Sequence, residues 1–480
     1  MRLSLLRFFP VAALFFTPWL TVTAQPPGQT ATGPVSGRWL FAIQVGADTN
    51  ASRWRLEFGR DGVIGGANPD GLAIRGAVRG DSVSFDVLGR PDGARVQLSG
   101  IFANGAIRGH RVQTGPGNVP SLPPTQFVAV PDRPARPARL HSFAPQTFSR
   151  AFSGTVPAAL RIISGDTVRT WTLDNAGADS TGRTRSRGGN PLTGPFYVDG
   201  ALPGDMIAVR LHRVRVNRDY GRSGSEIVES ALTGDDYRRL VEVPGFNRRW
   251  RLDRERGVAT LEQPTTALAA FSVPLRPMLG CVGVAPFGGQ SFLSTESGPF
   301  GGNMDYNEIR EGVTVYLPVF QRGALLFIGD GHAVQGDGEL TGDAVETSMS
   351  VEFSVEVFPG TGTFRGLIDN PRAESDEFLM AIGISGDLHG ALRLATSDLA
   401  RWLEADYGLN ASELASVLGT RVRYDVADLV GNQLSVVAKF PKDALRQLKP
   451  ASSRPSGAPT GSALKQIGST VLSRSPFPRR

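Results

Sequence analysis

The residues best suited to chemistry lie in one short segment, Gly329 to Glu339, whose sequence is GDGHAVQGDGE. It carries one histidine, His332, and three carboxylates, Asp330, Asp337 and Glu339. The glycines allow a tight fold, so these acids can meet the imidazole. An imidazole with carboxylate oxygens is a ligand set for zinc or manganese, and a spare carboxylate can take a proton from bound water. The alternative is a plain Gly/Asp hairpin turn with one hydrogen-bonded histidine.

The surroundings of the single cysteine disfavour a thiol nucleophile. Cys281 is the only cysteine, so no intrachain disulfide can form. It lies in the apolar stretch 278–284, which predicts a small buried residue. The sequence also lacks a Gly-x-Ser-x-Gly nucleophile elbow, and we therefore expect neither a cysteine nor a serine hydrolase.

The elements that must position these residues are mainly β-strands. A chain of 480 residues is expected to form two or three domains. Residues 37–130 alternate apolar and polar positions between Gly-Asp and Asp-Gly turns. This pattern predicts a small antiparallel barrel or sandwich of roughly six to eight strands. We expect a stabilising or docking role for this module, and binding of a surface ligand is the functional alternative.

The rest of the chain is predicted to form a second, β-rich domain over residues 139–450. A Pro-rich segment, 115–138, predicts a stiff linker, with 131–138 between the two domains. Helical periodicity begins at Ser397 and again at Asn410, each with a polar capping residue, and Gly419 is expected to end the second helix. Strands at 422–426 and 433–440 complete a smaller α+β C-terminal portion. The basic stretch 451–480 is typical of a disordered tail.

The N-terminal residues predict export from the cytoplasm. Residues 1–24 combine Arg2 and Arg7, an apolar core and a small-residue cleavage site, as in a secretory signal peptide. Residues 25–36 are expected to form a flexible leader. We therefore expect a periplasmic or secreted protein without a membrane span, because the apolar run is short. Acidic and basic residues are interleaved, and the net charge is +6, which disfavours a nucleic-acid partner.

Residues from about 139 to 448 resemble the acetamidase/formamidase family of small-amide hydrolases. Five blocks occur in the order of the family: GDTV to TLDN at 165–175, NPLTGPFYVDGALPGD at 190–205, PMLGCVGVAP at 277–286, GGNMD at 301–305, and 329–339 with Glu346-Thr347 behind it. The late helical pair is also similar to the C-terminal portion of the family. The signal peptide and the N-terminal β module lie outside this match.

The resemblance implies a mostly β architecture and the hydrolysis of short amides to a carboxylate and ammonia. It implies a site that gathers seven residues: Asp174, Asn303, Asp305, Asp330, His332, Asp337 and Glu339. We expect four of these as metal ligands: His332, Asp330, Asp174 and Asp305. The catalytic groups are then Glu339, Asp337 and Asn303, although spacing leaves open which of Asp305, Asp337 and Glu339 ligates. Zinc is the expected metal, with calcium as the alternative because oxygen donors are many.

Other polar residues are expected to have lesser roles. Asp199 and Asp205 lie in a Pro/Gly turn, which they are expected to stabilise. His141 precedes the first block and is either a surface residue or a ligand. Glu346 could orient a ligand. Three histidines have no acidic cluster near them in sequence and are expected to be structural: His110, His212 and His389.

The sequence therefore predicts an exported, metal-dependent amidase that acts on a short linear amide or on a cyclic amide such as a γ-lactam. The alternative is a non-catalytic periplasmic binding protein that keeps the amidase fold. The complete His/Asp/Glu set favours the enzyme, because a binding protein has no chemical need for it. The expected partners are the small amide and, as a default, a second copy of the chain in a homodimer.

Overall fold

The chain divides into two compact units, Met1–Asp132 and Arg133–Arg480. The computed structural model describes residues 34, 36–45, 48–68, 71–116, 122–132, 136–240, 243–360 and 368–450. The predicted signal peptide, most of the leader and the C-terminal tail therefore lie outside the described residues. Within the described ranges, no helix has the length and apolarity needed to cross a membrane.

The first unit is the predicted small antiparallel barrel. Its eight strands are β1 Gly37–Val45, β2 Asp48–Phe58, β3 Val63–Ala67, β4 Ile74–Arg79, β5 Ser82–Val87, β6 Arg95–Ala103, β7 Ala106–Thr114 and β8 Leu122–Pro131. Each strand pairs with the next, and β8 pairs with β1 to close the barrel. Period-two alternation turns one face of each strand inward, where Phe41 stacks on Trp54 and Phe127 at 4.6 and 5.6 Å. Eight strands give an interior just wide enough for such side chains to fill.

The Pro-rich segment forms less of a linker than the sequence predicts. Strand β8 runs through Leu122–Pro131 and is part of the barrel. Pro123 and Pro124 lie where the pairing with β7 shifts register, outside the stretch of β8 that pairs with β1. Proline is tolerated at such irregularities because no ladder hydrogen bond is required there.

The second unit is also built mainly from strands. They are β9 Leu140–Ser142, β10 Ala151–Ser153, β11 Leu160–Ile163, β12 Thr167–Trp171, β13 Leu192–Asp199, β14 Met206–Val216, β15 Tyr220–Arg222, β16 Arg249–Asp253, β17 Val258–Leu261, β18 Ser272–Pro274, β19 Met278–Gly283, β20 Ser291–Leu293, β21 Ser297–Gly298, β22 Gly301–Asn303, β23 Thr314–Pro318, β24 Leu326–His332, β25 Glu346–Thr347, β26 Met349–Phe358, β27 Arg372–Glu374, β28 Phe378–Ser385, β29 Arg423–Asp428 and β30 Leu434–Pro441. The closing strands β29 and β30 confirm the prediction from the sequence.

Two large sheets share one apolar core. The nine-stranded sheet has the order β29-β30-β28-β27-β23-β14-β26-β12-β9. The eleven-stranded sheet follows β18-β17-β16-β15-β25-β24-β19-β22-β21, with β13 paired to β24 and β11 to β13. Side chains from both sheets meet in the core, where the rings of Phe196 and Phe353 lie 5.1 Å apart. The fold is thus mainly β, as predicted.

In the described part of the chain, helices are few and lie mostly toward its C-terminal end. They are α1 Gly234–Arg239, α2 Leu388–Tyr407, α3 Ala411–Arg421 and α4 Lys442–Leu445, with short 3-10 turns at Glu229–Ala231, Thr266–Leu268 and Phe287–Gly289. The predicted start of the first long helix at Ser397 is wrong. Helix α2 begins nine residues earlier, because the side chain of Asp387 caps it by accepting from Gly390 N. Asn410 and Glu413 form the capping box of α3, which continues past Gly419 to Arg421.

Candidate metal centre

Strand β24 carries the glycine-rich segment into the eleven-stranded sheet. All seven of its residues are buried, and the strand pairs with β13, β19 and β25. A Cβ at Gly331 would lie 2.4 Å from Met349 Cγ, so only glycine fits without a shift of its neighbours. The glycines therefore serve close packing between elements as well as turn formation, and they bring Asp330 and His332 into the interior.

Four carboxylates surround the Nε2 atom of His332. The nearest oxygens are Glu346 Oε1 at 3.0 Å and Asp330 Oδ2 at 3.4 Å. Asp305 Oδ1 and Glu339 Oε1 each lie 3.9 Å from the same nitrogen. These five residues, which we call the His332 cluster, are at most 6% exposed. They form two overlapping groups with the spacing of metal ligands, both of which include His332.

The backbone around the His332 cluster has an uncommon conformation. Asp305, Asp330 and Glu339 have φ angles of +41°, +55° and +48°, and the neighbouring Asn190 has +50°. Among the described residues, seven other than glycine have positive φ, and these are four of them. Asparagine and aspartate adopt this region more readily than other residues with a side chain, whereas for Glu339 it costs about 1–2 kcal/mol. Such strain persists where the surroundings impose it, and it concentrates at functional sites.

Two of the carboxylates pack closely against Gly280 of β19. A Cβ at this position would lie 2.2 Å from Asp305 Oδ1 and 2.6 Å from Asp330 Oδ2. No side chain other than hydrogen can be accommodated while the carboxylates stay in place. The glycine therefore leaves the space in which the two acids approach His332.

Asparagine side chains brace the same carboxylates. Asn190 Nδ2 donates to Asn303 Oδ1 and to Asp330 Oδ2, both at 2.8 Å. Asn303 in turn donates from its own Nδ2 to Asp305 Oδ2. The sequence predicts Asn303 as a catalytic group, and both ends of its amide are bonded within the protein. This arrangement favours an orienting role for Asn303, and its catalytic role stays a prediction.

The second ring nitrogen of His332 fixes which tautomer the neutral imidazole adopts. His332 Nδ1 lies 2.7 Å from Gln335 Oε1, while Gln335 Nε2 donates to the backbone oxygen of Asp305. Because an amide oxygen can only accept, Nδ1 must carry the hydrogen. A neutral ring then directs the lone pair of Nε2 toward the carboxylates, as required of a metal ligand.

Burial and crowding shift the proton affinities of the cluster. Burial raises the pKa of Asp305, Glu339 and Glu346, and repulsion from neighbouring carboxylates adds to it. The pKa of Glu339 is raised to about 7. Burial lowers the pKa of His332, but Glu346 and Asp330 outweigh it, so the net shift is well upward. Without a cation, the cluster holds protons that a metal ion could replace.

The donor set fits a divalent cation. Four buried atoms of the cluster make no hydrogen bond of regular geometry in the described part of the chain, although one of them, His332 Nε2, lies 3.0 Å from Glu346 Oε1: Asp305 Oδ1, Asp330 Oδ1, His332 Nε2 and Glu346 Oε2. Buried polar atoms are normally paired, so four orphans in one cluster call for a common partner. One imidazole nitrogen with several carboxylate oxygens is a ligand set for such an ion.

Two of the predicted site residues have partners elsewhere. Asp337 is exposed and accepts a 2.8 Å hydrogen bond from Asn307 Nδ2. Asp174 is buried and forms an ion pair with Arg218 at 2.6 Å, while its other oxygen accepts from Ala178 N. Neither belongs to the two metal-ligand groups. These contacts favour an anchoring role for Asp174, and its assignment as a ligand stays a prediction.

Of the residues expected to have lesser roles, Glu346 belongs to the metal-ligand groups and the others do not. Asp205 accepts from the backbone of Leu202, as expected of a turn residue, and Asp199 pairs with Arg161. His141 lies 2.8 Å from Asp166. Three histidines are exposed: His110, His212 and His389. Cys281 is fully buried, which confirms that prediction, and burial raises the pKa of its thiol well above the usual value.

Sequence reasoning missed three residues at the site and underrated a fourth. Gln335 lies three positions after His332, so local spacing could have revealed it. Asn190 lies in the sequence Gly-Gly-Asn-Pro, which is typical of a tight turn, and its backbone is left-handed there. That sequence could have marked it as a residue with a fixed position. Asp428 is buried beyond Glu339, and burial raises its pKa to about 8. Nothing in the sequence pointed to Asp428. Glu346 was expected only to orient a ligand, but its carboxylate is the one nearest to His332 Nε2.

Comparison with protein families agrees with this geometry. A model described as the acetamidase/formamidase family matches residues 295–405, a range that contains all five residues of the His332 cluster. The chain is 37% identical over 106 residues to the acetamidase of Mycolicibacterium smegmatis. This alignment covers 20% of this chain and 26% of that protein. It is 26% identical over 213 residues to a putative formamidase of Schizosaccharomyces pombe, covering 35% and 51%. The chain thus matches a quarter to a half of the length of these relatives.

Solved structures cover more of the chain than these relatives do. A predicted acetamidase/formamidase from the thermophile Thermoanaerobacter tengcongensis aligns with a TM-score of 0.53 and 27% identity, over 65% of this chain and 98% of that one. An acetamidase from Bacillus halodurans aligns with a TM-score of 0.53 and 25% identity, over 64% and 99%. Nearly the whole of each of these structures thus has a counterpart in this chain.

Proposed function

We propose that this chain, which is similar to the acetamidase/formamidase family, is a member of it and hydrolyses a short amide to a carboxylate and ammonia at the His332 cluster. The observation that carries the proposal is the buried Nε2 of His332 with four carboxylates within 3.9 Å. Such a set of groups is expensive to bury, and its arrangement suits metal-assisted hydrolysis. A short linear amide, of the acetamide or formamide type, is the proposed substrate.

His332, Asp330, Asp305 and Glu346 are the residues that would hold a divalent cation, since each has an orphaned atom in the cluster. When bound, the cation would polarise the amide carbonyl and lower the pKa of a water molecule toward about 7. Zinc is the proposed metal because an imidazole nitrogen is among the donors, and calcium is the alternative because oxygens predominate. Gln335 supports this role by holding the proton on Nδ1 of His332.

Glu339 is the proposed acid and base. Its pKa, raised to about 7 by burial, lies near neutral pH, where a carboxyl group can both accept and return a proton. Glu339 would accept a proton from the attacking water and return it to the departing nitrogen. Ala344 N donates to Glu339 Oε1 at 3.0 Å and fixes the orientation of the carboxyl group. Asp337, being exposed, is less suited to this step.

The direct test is ammonia release from acetamide, formamide, propionamide and a γ-lactam, with and without a chelator. We expect turnover of at least one linear amide, its loss with chelator and its recovery on adding Zn²⁺. His332→Ala should abolish turnover. His212→Ala is the matched control, because His212 is exposed and its ring is hydrogen-bonded to Ser354 Oγ, away from the His332 cluster. Equal turnover in wild type and His332→Ala would remove the cluster from the mechanism.

The location and the partners of the protein are part of the proposal. The residues that predict a signal peptide, Arg2, Arg7 and the apolar run behind them, support export to the periplasm or beyond. Fractionation of cells that express the full chain tests this, and recovery with the cytoplasmic fraction would contradict it. A homodimer and a surface ligand for the N-terminal barrel stay predictions, which light scattering and glycan binding can test.

A further inference from the structure

The side chain of Asn190 joins two parts of the His332 cluster. Its Nδ2 donates to Asp330 Oδ2, 140 positions away in sequence, and to Asn303 Oδ1, 113 positions away. Both contacts measure 2.8 Å, and both partners are acceptors, so only the nitrogen end of the amide can face them. Asn303 passes the connection on to Asp305. The side chain of Asn190 thus connects the carboxylates of Asp330 and Asp305, which both pack against Gly280.

These contacts address the electrostatic difficulty of the site. Asp305 and Asp330 both lie against the α-carbon of Gly280, and their like charges repel in a buried place. A neutral donor that bonds to one carboxylate directly and to the other through Asn303 stabilises both ionised forms without adding a charge. It also holds Asp330 Oδ2, which leaves Oδ1 of the same carboxylate as one of the orphaned atoms of the cluster.

The backbone of Asn190 suits the residue that stands there. Its φ of +50° lies in the left-handed region, which glycine and asparagine adopt more readily than other residues. The preceding residues are Gly188 and Gly189, and Pro191 follows. Glycine at position 190 could adopt the same backbone, but it would remove both hydrogen bonds.

We propose that Asn190 is a positioning residue of the metal centre, which orients Asp330 and the Asn303–Asp305 pair for cation binding. The inference rests on the proposed function and deepens it. Asn190 contacts no reacting atom in this arrangement, so its effect is on the carboxylates that would hold the cation. Groups that orient metal ligands in this way typically affect metal affinity or activity by roughly 10–100-fold.

The test compares Zn²⁺ binding and steady-state kinetics of the full chain and two variants. Asn190→Gly removes the side chain and accepts the left-handed backbone, so the fold is expected to stay intact. Asn190→Asp keeps the size of the side chain and replaces the donor with a carboxylate. Asn307→Gly is the matched control, because Asn307 also donates a 2.8 Å hydrogen bond to an aspartate of the same glycine-rich segment, the exposed Asp337.

Calorimetric titration with Zn²⁺ is expected to show about 10–100-fold weaker binding for both Asn190 variants and unchanged binding for Asn307→Gly. At saturating Zn²⁺, kcat should fall while KM stays near the wild-type value, since Asn190 does not touch substrate. A folded Asn190 variant within twofold of wild type in affinity and in kcat would overturn the inference. Wild type that binds no Zn²⁺ would instead refute the metal centre itself, and with it any role for Asn190 there.

Discussion

Gly280→Ala adds one methyl group where the structure has no room for it. The new Cβ would lie 2.2 Å from Asp305 Oδ1 and 2.6 Å from Asp330 Oδ2. The φ of Gly280 is not in the left-handed region, so alanine can adopt the backbone conformation without strain. The substitution therefore tests chiefly the space between the two carboxylates.

The size of the effect follows from these distances. The nearer oxygen has to retreat by about 1 Å before it reaches an ordinary van der Waals separation. Asp330 is held by Asn190, and Asp305 by Asn303, so the carboxylates cannot swing away freely. A displacement of 1 Å at a catalytic centre can cost about 100-fold in rate, or about 2.7 kcal/mol. Overpacking adds a loss of stability of about 1–3 kcal/mol.

The assay is kcat/KM for ammonia release, together with Zn²⁺ affinity and thermal unfolding. We expect kcat/KM and affinity to fall by about 100-fold and 10–100-fold, with cooperative unfolding retained. Gly336→Ala is the control, because Gly336 lies in the glycine-rich segment with nothing within 4 Å of its would-be Cβ. If Gly280→Ala matched wild type within twofold in rate and affinity, the carboxylates would not need their present positions.

Further predictions concern stability and domain independence. Burial raises the pKa of Asp166, but hydrogen bonds from Arg136 and from backbone N–H groups outweigh this and hold that pKa below its usual value. The ionised carboxylate therefore stabilises the fold above about pH 4, and this stabilisation is lost at lower pH. Asp166→Asn should lower the free energy of unfolding by urea by about 3 kcal/mol at pH 7. The difference in this free energy between wild type and variant should shrink toward acid pH, and a difference that does not change with pH would contradict the prediction. Asp174→Asn should cost a similar amount by breaking the buried pair with Arg218 and leave Zn²⁺ affinity unchanged; weaker binding would support the ligand role. Deletion of residues 25–130 should spare turnover of small amides, since the second unit is compact by itself, and a folded but inactive truncation would argue against this.

The parts of the molecule that sequence reasoning described well depend on local patterns. The strands of the barrel alternate between inward apolar and outward polar residues, as in Val83, Phe85 and Val87 of β5. His332 and Asp330 could be identified because glycines next to them indicate a tight, close-packed backbone. In each case the signal and the structure it predicts lie within a few residues of each other.

The parts that were missed depend on pairing between distant segments. Glu346 meets His332 because β24 and β25 pair in a register that sets these two residues opposite each other. The same glycine-rich segment turns Asp337 outward to Asn307, and spacing alone does not reveal on which side of a turn an acid lies. The start of α2 was placed too late because the polar Ser397 resembles a capping residue, whereas it lies inside a helix that Asp387 caps.

The His332 cluster shows how the fold and the proposed chemistry depend on each other. Orphaned polar atoms in the interior cost about 1–3 kcal/mol each, and the left-handed residues beside them add to this cost. A protein that used Asp305, Asp330 and Glu346 only for packing would be more stable with apolar side chains of similar size. A divalent cation that bound only the folded state would offset this cost, and its stabilising effect would grow with the logarithm of its concentration once that exceeds the Kd. The two sheets must therefore supply a surplus of stability elsewhere, and their large shared apolar core is where that surplus arises.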